Sequence, residues 1–328
     1  MSGLAGGLPG LFLRVHEPPP ILSSPMLSYL SRRLFFLLLV ATLTIFAVYL
    51  GMGMIQNSEI PQPDYNVVGA AQQAWGNTRA YLERLVTGDL GSVQEQAGPI
   101  SVGQVLAEAY VNSMGLLLAA LGVAALVGIS IGVIAALTKH KGLVVPLLFI
   151  TIIGISVPSF FGGLLLRQGE LTYLRLFGRP LVSMAGFGWD YQHMLLPVLV
   201  LAARPLAYLT RATFLGMDRV MQEDYIRTAY SKGLSRSHTV NAHAVRNIAI
   251  PLVTAIGVSL RFALSTLPVV EFFFVWPGMG LRLLQAIEGR QTLIVVTLAA
   301  AMALTFLGMN FLLDISYRYI DPRVRGEA

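Results

Sequence analysis

Apolar residues in this chain arrive in runs long enough to cross a hydrocarbon layer of about 30 Å, which takes about 20 helical residues. The runs cover Leu34–Ile55, Met114–Leu137, Leu143–Leu166, His193–Phe214, Pro251–Phe274 and Thr292–Leu313. Polar segments rich in Gly, Pro and charged residues separate them, so the pattern predicts an all-α, multi-pass membrane protein with six transmembrane helices. Residues 1–25, with the run Pro18-Pro19-Pro20, read as a flexible arm preceding a transmembrane domain over 26–328. The first long polar stretch, 56–112, predicts two short helices near Val68–Val86 and Val102–Tyr110. A second polar loop covers 167–192, and a longer charged one covers 215–250.

Within the spans, Gly128 and Gly132 stand four apart and predict a close helix crossing. Pro146 and Pro158 predict bends in the third run. Composition agrees with the pattern: 55% hydrophobic, 12% charged and a mean hydropathy of +0.67, too little polar surface for a soluble chain of this length. Zero cysteines exclude a disulfide scaffold and a thiolate metal site. The basic balance would suit nucleic acid, but the cations flank apolar runs and mark topology instead. Of the 23 Lys and Arg, 14 fall on the face holding both termini and the 215–250 loop and 7 on the other, with Arg204 and Arg261 inside spans. The richer face is therefore expected to be cytoplasmic. Arg32-Arg33 precede a run that lacks a cleavage pattern, so it reads as a retained span.

No phosphate-binding loop, nucleophile elbow or zinc-protease signature is present. That makes the chain a non-catalytic one with no metal site or cofactor of its own. The most informative stretch runs from Glu223 through Gly233 to Pro251 and reads as two helices joined at Gly233. In the first, Met221, Tyr225, Thr228, Ala229 and Lys232 recur at three- or four-residue spacing and would share a docking face, with Ala229 letting a partner come close. Ser235 or Ser237 would cap the second. A solvated loop whose charge only sets topology is the other reading of these residues.

Several motifs, in this order, resemble one family. They are Arg32-Arg33, Gly88-Asp89-Leu90-Gly91, Ser156-Val157-Pro158-Ser159-Phe160, Asp224-Tyr225-Ile226-Arg227-Thr228-Ala229 with Lys232-Gly233-Leu234, and His243-Ala244-Val245-Arg246-Asn247. Trp276-Pro277-Gly278-Met279-Gly280 and Leu313-Asp314 through Asp321-Pro322-Arg323 complete the set. Together they are similar to permease subunits of ATP-binding-cassette importers of the dipeptide, oligopeptide and nickel group, and to the first of the two permeases. The resemblance implies a type I importer fold in a prokaryotic inner membrane with both termini cytoplasmic. It implies a second paralogous permease, two ATP-binding subunits that bind ATP and Mg, and an extracytoplasmic substrate-binding protein. It also makes Asp224, Tyr225, Arg227, Thr228, Ala229, Lys232, Gly233, Leu234 and Arg246 an ATPase-coupling loop. The cargo it implies is peptide, with nickel or another small solute as alternatives.

Pro158, Arg261, Glu271, Trp276 and Gly278 are candidates for the pathway or its gate. Arg261 would line the pathway, pair between helices or snorkel to the interface. Glu271 would pair with Arg204 or Arg261, or meet substrate. Trp276 would form an external gate or anchor an interfacial belt. The chain departs from the family in its first 25 residues, in the polar 167–180 segment and in Gly51-Met52-Gly53-Met54 at the exit of the first span. The rival class is an ion-coupled secondary transporter, which Arg204, Arg261 and the bent spans would suit, although no inverted repeat and no buried acid suited to proton coupling is visible.

Overall fold

The computed structural model describes residues 24–57, 67–95, 98–138 and 141–320. The N-terminal arm through residue 23, Pro61, Pro63, Lys139, His140 and the Asp321-Pro322-Arg323 close lie outside these. Helix α1 (Ser24–Asn57) is followed by α2 (Val67–Thr87) and a small antiparallel hairpin of β1 (Ser92–Glu95) and β2 (Gly98–Ser101). Then come α3 (Val102–Leu137), α4 (Lys141–Ser156), α5 (Ser159–Phe177), α6 (Tyr191–Met221), α7 (Asp224–Ser231) and α8 (Arg236–Thr239). A π-helical turn, Val240–Ala244, leads into α9 (Val245–Phe274), and α10 (Met279–Glu288) and α11 (Thr292–Ile320) close the chain. Five helical stretches are long and apolar enough to cross a membrane by themselves, and the bent pair α4–α5 makes a sixth unit.

Three boundaries differ from the sequence expectation. The helix expected at Val102–Tyr110 is the first part of the 36-residue α3, because Ala109, Ser113 and Leu116 continue one buried stripe across the supposed loop. The third run is not one helix: α4 and α5 meet at 110° across Val157-Pro158. Pro158 has no N–H for a helical bond and holds the residue before it extended. Helix α4 is about 24 Å long at 1.5 Å per residue, and α5 lies against the end of α9, where Phe273 meets Gly163 and Arg167. Residues 167–177 are therefore helical, not loop, and a left-handed Gly178 (φ 69°) ends them. In the 215–250 segment, α6 continues to Met221 and the second loop helix merges through the π turn into α9.

The core is the crossing of α3 on α6, with α9 packed against both. Leu116, Leu117, Ala120 and Ala124 of α3 meet Leu201 and Leu209 of α6 and Ala263 and Leu267 of α9. With lipid outside as apolar as leucine, this contact rests on close packing. A Cβ on Gly128 would stand 2.8 Å from the Leu206 carbonyl oxygen, and one on Gly132 would stand 2.6 Å from that of Thr210. Both obstacles are backbone. The expected packing role of this pair is thus what the structure shows. Helices α1 and α2 pack on α11, where the Tyr81 hydroxyl donates to Thr297 Oγ1 at 3.0 Å. Burial pushes the Tyr81 phenol up from its ordinary value.

Gly132→Leu should push α3 off α6 and lower stability by about 1–3 kcal/mol or more, the cost of overpacking. Thermal unfolding in detergent would show it as a clear drop in midpoint. Gly122→Ala should leave the midpoint unchanged, since a Cβ there meets nothing within 4 Å.

Candidate functional site

The candidate residues gather at the two ends of α9. At one end, α7 lies under the α6–α9 junction. Ile226 (0% exposed) enters a cluster with Met217, Val240, Ala244 and Ile248, and Ala229 (6%), three residues on, is buried on the same side of α7. The expectation that Ala229 gives a partner close approach is therefore corrected: its methyl faces this chain's own core. The outward face carries Asp224, Tyr225, Arg227, Thr228 and Lys232, all exposed. Tyr225 is also tied down, its hydroxyl accepting from Asn247 Nδ2 at 3.0 Å. Arg227 and Asp224 form a loose, solvent-exposed pair at 3.5 Å, which contributes little.

Gly233 has φ 79°, in the left-handed region, and a Cβ added there would meet nothing within 4 Å. Its requirement is conformational, not steric. There the chain turns: Leu234 N–H donates to the Ala229 carbonyl at 3.2 Å, and Ser235 Oγ accepts from His238 N–H at 3.3 Å to cap α8. Arg236 donates to the Leu137 carbonyl, so the loop is anchored to the C-terminal end of α3, where cations are favoured. Leu234 and Arg246 are exposed beside this turn.

At the other end of α9, the Glu271 carboxyl is wholly buried, 0% exposed. It accepts from Ser113 Oγ at 2.5 Å and from Gly280 N–H at 2.6 Å. Ser113 Oγ in turn accepts from Met279 N–H at 2.7 Å. Two free N–H groups of the first turn of α10 are thus satisfied by side chains from α3 and α9, and the carboxyl stands at the positive end of that helix. Asn112 completes the latch: Trp276 Nε1 donates to its carbonyl at 3.0 Å, and its Nδ2 donates to the Pro277 carbonyl at 3.0 Å.

These contacts explain the Trp-Pro-Gly-Met-Gly segment. A Cβ on Gly278 would collide with the Glu271 carboxyl, and one on Gly280 would stand 2.5 Å from Pro268 Cα. Trp276 is 0% exposed, edge-on to Phe187 at 4.9 Å and Trp189 at 5.4 Å. The interfacial-belt reading of Trp276 is therefore corrected, because its ring touches protein on all sides. Of the two readings of Glu271, the pairing with an arginine is corrected, because its carboxyl is taken by Ser113 and Gly280.

The arginines have other partners. Arg204 Nε donates to the Ile155 carbonyl in the last turn of α4 at 3.1 Å, and its guanidinium sits over Phe262 at 5.7 Å. Arg261 Nη2 lies 3.8 Å from Asp314 Oδ1, and Arg33 Nη2 lies 2.8 Å from Asp314 Oδ2. Asp314 of α11 is thus shared between Arg33 of α1 and Arg261 of α9, while Arg261 Nε is buried without a hydrogen-bond partner among the described residues. Pro158 stands apart, at the α4–α5 break. Sequence reasoning missed Ser113, Asn112 and Ile226. It also missed Glu170, whose Oε1 accepts from the N–H groups of Leu181 and Val182 at 2.6 and 3.1 Å. Two acids, Glu170 and Glu271, are therefore buried, and both are occupied by hydrogen bonds.

Glu271→Ala would leave Ser113 and the start of α10 without their acceptor, at about 1–3 kcal/mol for buried groups left unsatisfied. The expected result is a lower thermal midpoint together with greater acrylamide quenching of the Trp189–Trp276 pair, read in a Trp75→Phe background. An unchanged midpoint would refute the latch.

Comparison with known proteins adds what geometry alone does not. A family model described as "binding-protein-dependent transport system inner membrane component" matches residues 128–326, which includes the whole of α6 to α11 and the 223–247 loop. The dipeptide transport system permease protein DppB of Bacillus subtilis is 33% identical over 247 residues, covering 75% of this chain and 77% of that protein. The glutathione transport system permease protein GsiC of Escherichia coli is 30% identical over 313 residues, covering 92% and 99%. The DppB protein of Alkalihalophilus pseudofirmus is 28% identical over 280 residues, covering 79% and 84%. The model match and these relatives agree with the multi-pass helical fold, and the chain belongs to the binding-protein-dependent transport system inner membrane component family.

Proposed function

We propose that this chain is the first of two paralogous permease subunits in an ATP-driven importer of di- or oligopeptides. Two ATP-binding subunits, which hold ATP and Mg, act on it from the cytoplasm, and an extracytoplasmic binding protein delivers the cargo. Both termini and the 215–250 loop lie on the cytoplasmic side, the face with the larger share of Lys and Arg. Peptide cargo is supported by the functions that the relatives' names carry, dipeptide and glutathione transport.

The observation that carries the coupling role is the construction of α7. It buries Ile226 and Ala229 in its own chain and leaves Asp224, Arg227, Thr228 and Lys232 outward. A force on that face is passed to α6 and α9, because α7 is fixed to both through one apolar cluster. Closure of the ATPases would move the loop and, with it, the bundle between inward- and outward-open states. The chain does no covalent chemistry in this cycle.

Purification through a tag on this chain should recover two ATP-binding subunits and one further permease, and the reconstituted complex should take up peptide only with ATP. Recovery of the chain alone, with uptake that needs no ATPase, would overturn the reading. Gly233→Val should cut uptake and cargo-stimulated ATP hydrolysis about tenfold or more with the complex still assembled, because a branched residue resists φ 79°. Gly233→Asn, which tolerates that conformation, should keep most of both. Equal behaviour of the two variants would remove Gly233 from the coupling.

A further inference from the structure

Helix α2 has two unlike flanks. Its back is buried: Ala74, Thr78 and Tyr81 are covered, and Tyr81 packs with Ile45 of α1 and with Val296 and Ala300 of α11. On one flank Gln73, Asn77, Ala80 and Arg84 border a cleft of about 410 Å³ that Tyr49, Gly53 and Thr292 close on the other side. On the opposite flank Val68, Trp75, Leu82 and Val86 follow at steps of seven, seven and four residues, a single line along a helix. Val68, Trp75 and Val86 are 67%, 58% and 89% exposed. A shallow groove of about 260 Å³ runs past Trp75, Leu82 and Val86, with Arg79 and Glu83 beside it.

Single exposed apolar residues are common on a surface in water, but an apolar line along one flank of a helix that is polar on the other is not. Its depth is fixed by contacts with two spans. Trp75 stands edge-on to Phe46 of α1 at 6.3 Å between ring centres, nine residues short of Ile55, where the apolar run of that span ends. At 1.5 Å per residue this is about 13 Å inside the end of the run. Tyr81 reaches as deep on α11, because Ala300 comes eight residues after Thr292. The flank also continues the apolar outward side of α1, which is the least buried of the five long spans. Phe35, Leu39 and Leu43 are exposed there and lead at steps of four, four and three residues to Phe46, on which Trp75 stands.

We propose that α2 is an interfacial helix, lying in the leaflet away from α7 with the Val68–Val86 flank against acyl chains and the Gln73–Arg84 flank in water. Helices of this kind sink about 5–10 Å into the boundary between headgroups and acyl chains, which agrees with a Trp75 that stands below the end of the first span. Tryptophan and tyrosine favour that layer. Arg79 Nε donates to Glu83 Oε1 at 2.9 Å, and both side chains are mostly exposed. The charges beside the groove are thus paired, on stems long enough to keep them among the headgroups. The long segment between the first two spans is thereby held by the bilayer as well as by α1 and α11. Neither the cargo nor the ATPases enter this inference, so it stands or falls apart from the proposed function.

The chain has no cysteine, so single ones can be introduced into an otherwise unaltered protein. Leu82→Cys and Val86→Cys on the apolar flank, and Gln73→Cys and Asn77→Cys on the polar one, would each carry a nitroxide label. Each variant is purified with the subunits that accompany it and placed in nanodiscs of phosphatidylethanolamine and phosphatidylglycerol. Power-saturation EPR then compares collisions with oxygen, which dissolves in acyl chains, and with a polar nickel chelate, which stays in water. Oxygen should lead at positions 82 and 86 by about tenfold or more, since the chelate would have to leave its water behind. The chelate should lead at positions 73 and 77. A chelate preference at 82 or 86 would place α2 above the bilayer, and low collision with both reagents would mean that another protein covers the flank. Either result overturns the proposal. A second readout needs no label: lipids brominated along the acyl chain should quench a part of the tryptophan emission that Trp75→Phe removes. Equal quenching of the unaltered chain and the variant would overturn the proposal as well.

Discussion

The structure depends on how closely α3 can approach α6. Inside a bilayer no hydrophobic gain draws one apolar helix to another, so the contact must come from dispersion between surfaces that fit. Gly128 and Gly132 remove the side chains that would hold the two backbones apart, and the obstacles that a Cβ would meet are carbonyl oxygens of α6. Everything else is referred to that pair. Helix α9 packs on α6, α4 leans on α6 near Ala207 and α7 inserts Ile226 beneath the α6–α9 junction. A wider crossing would displace the loop and the latch together, because both are built on elements that α3 and α6 position.

The polar groups obey the same medium. A charge or an unpaired backbone group in hydrocarbon is costly, and several of the polar groups buried between the helices join two elements. Arg204 reaches from α6 to a carbonyl in the last turn of α4, next to the point where Pro158 interrupts the helix. Asp314 holds Arg33 and Arg261, joining the first and last spans to α9. Glu170 caps the 181–182 backbone from α5, and Glu271 caps α10 from α9. On the exposed side, Asp190 caps α6 and accepts from His193 as well, which holds its carboxyl below the usual range. The two resemblance motifs at opposite ends of the chain, Arg32-Arg33 and Leu313-Asp314, turn out to touch.

The spans were legible because a long apolar run has few alternatives in helix-forming sequence. Gly128, Gly132, Gly233 and Ser235 were legible because each has a local reason to be what it is: small size, left-handed φ or a capping oxygen. What was not legible depends on partners distant in sequence. Nothing near Glu271 indicates that Ser113, more than 150 residues earlier, will receive it, so an arginine in a neighbouring span was the natural guess. The periodicity of Tyr225, Thr228, Ala229 and Lys232 describes a helix face but not which way it points. Ile226, an apolar residue one step away, decides that by turning inward and taking Ala229 with it. The hairpin at 92–101 was missed because its strands are four residues each and flank a segment with no alternating pattern.

Helix α9 connects the two regions where function concentrates. With α8 and the π turn it forms a continuous helical stretch from Arg236 to Phe274, and it carries Glu271 at its outer end. Its lower end is tied by Arg236 to the close of α3 and by Asn247 to Tyr225 of α7. Its upper end is tied by Glu271 to Ser113, also on α3, and to α10. A helix held at both ends by the same neighbour resists sliding, so a force applied at α7 is better relieved by bending. The places where bending costs least are visible: the π turn at Val240–Ala244 and the prolines Pro251 and Pro268, each of which lacks a backbone donor. Pro268 lies within contact of Gly280, so a bend there moves the first turn of α10 and the segment led by Trp276. On the proposed coupling, motion at the cytoplasmic loop therefore reaches the outer end through a flexing rod whose upper joint is the latch itself.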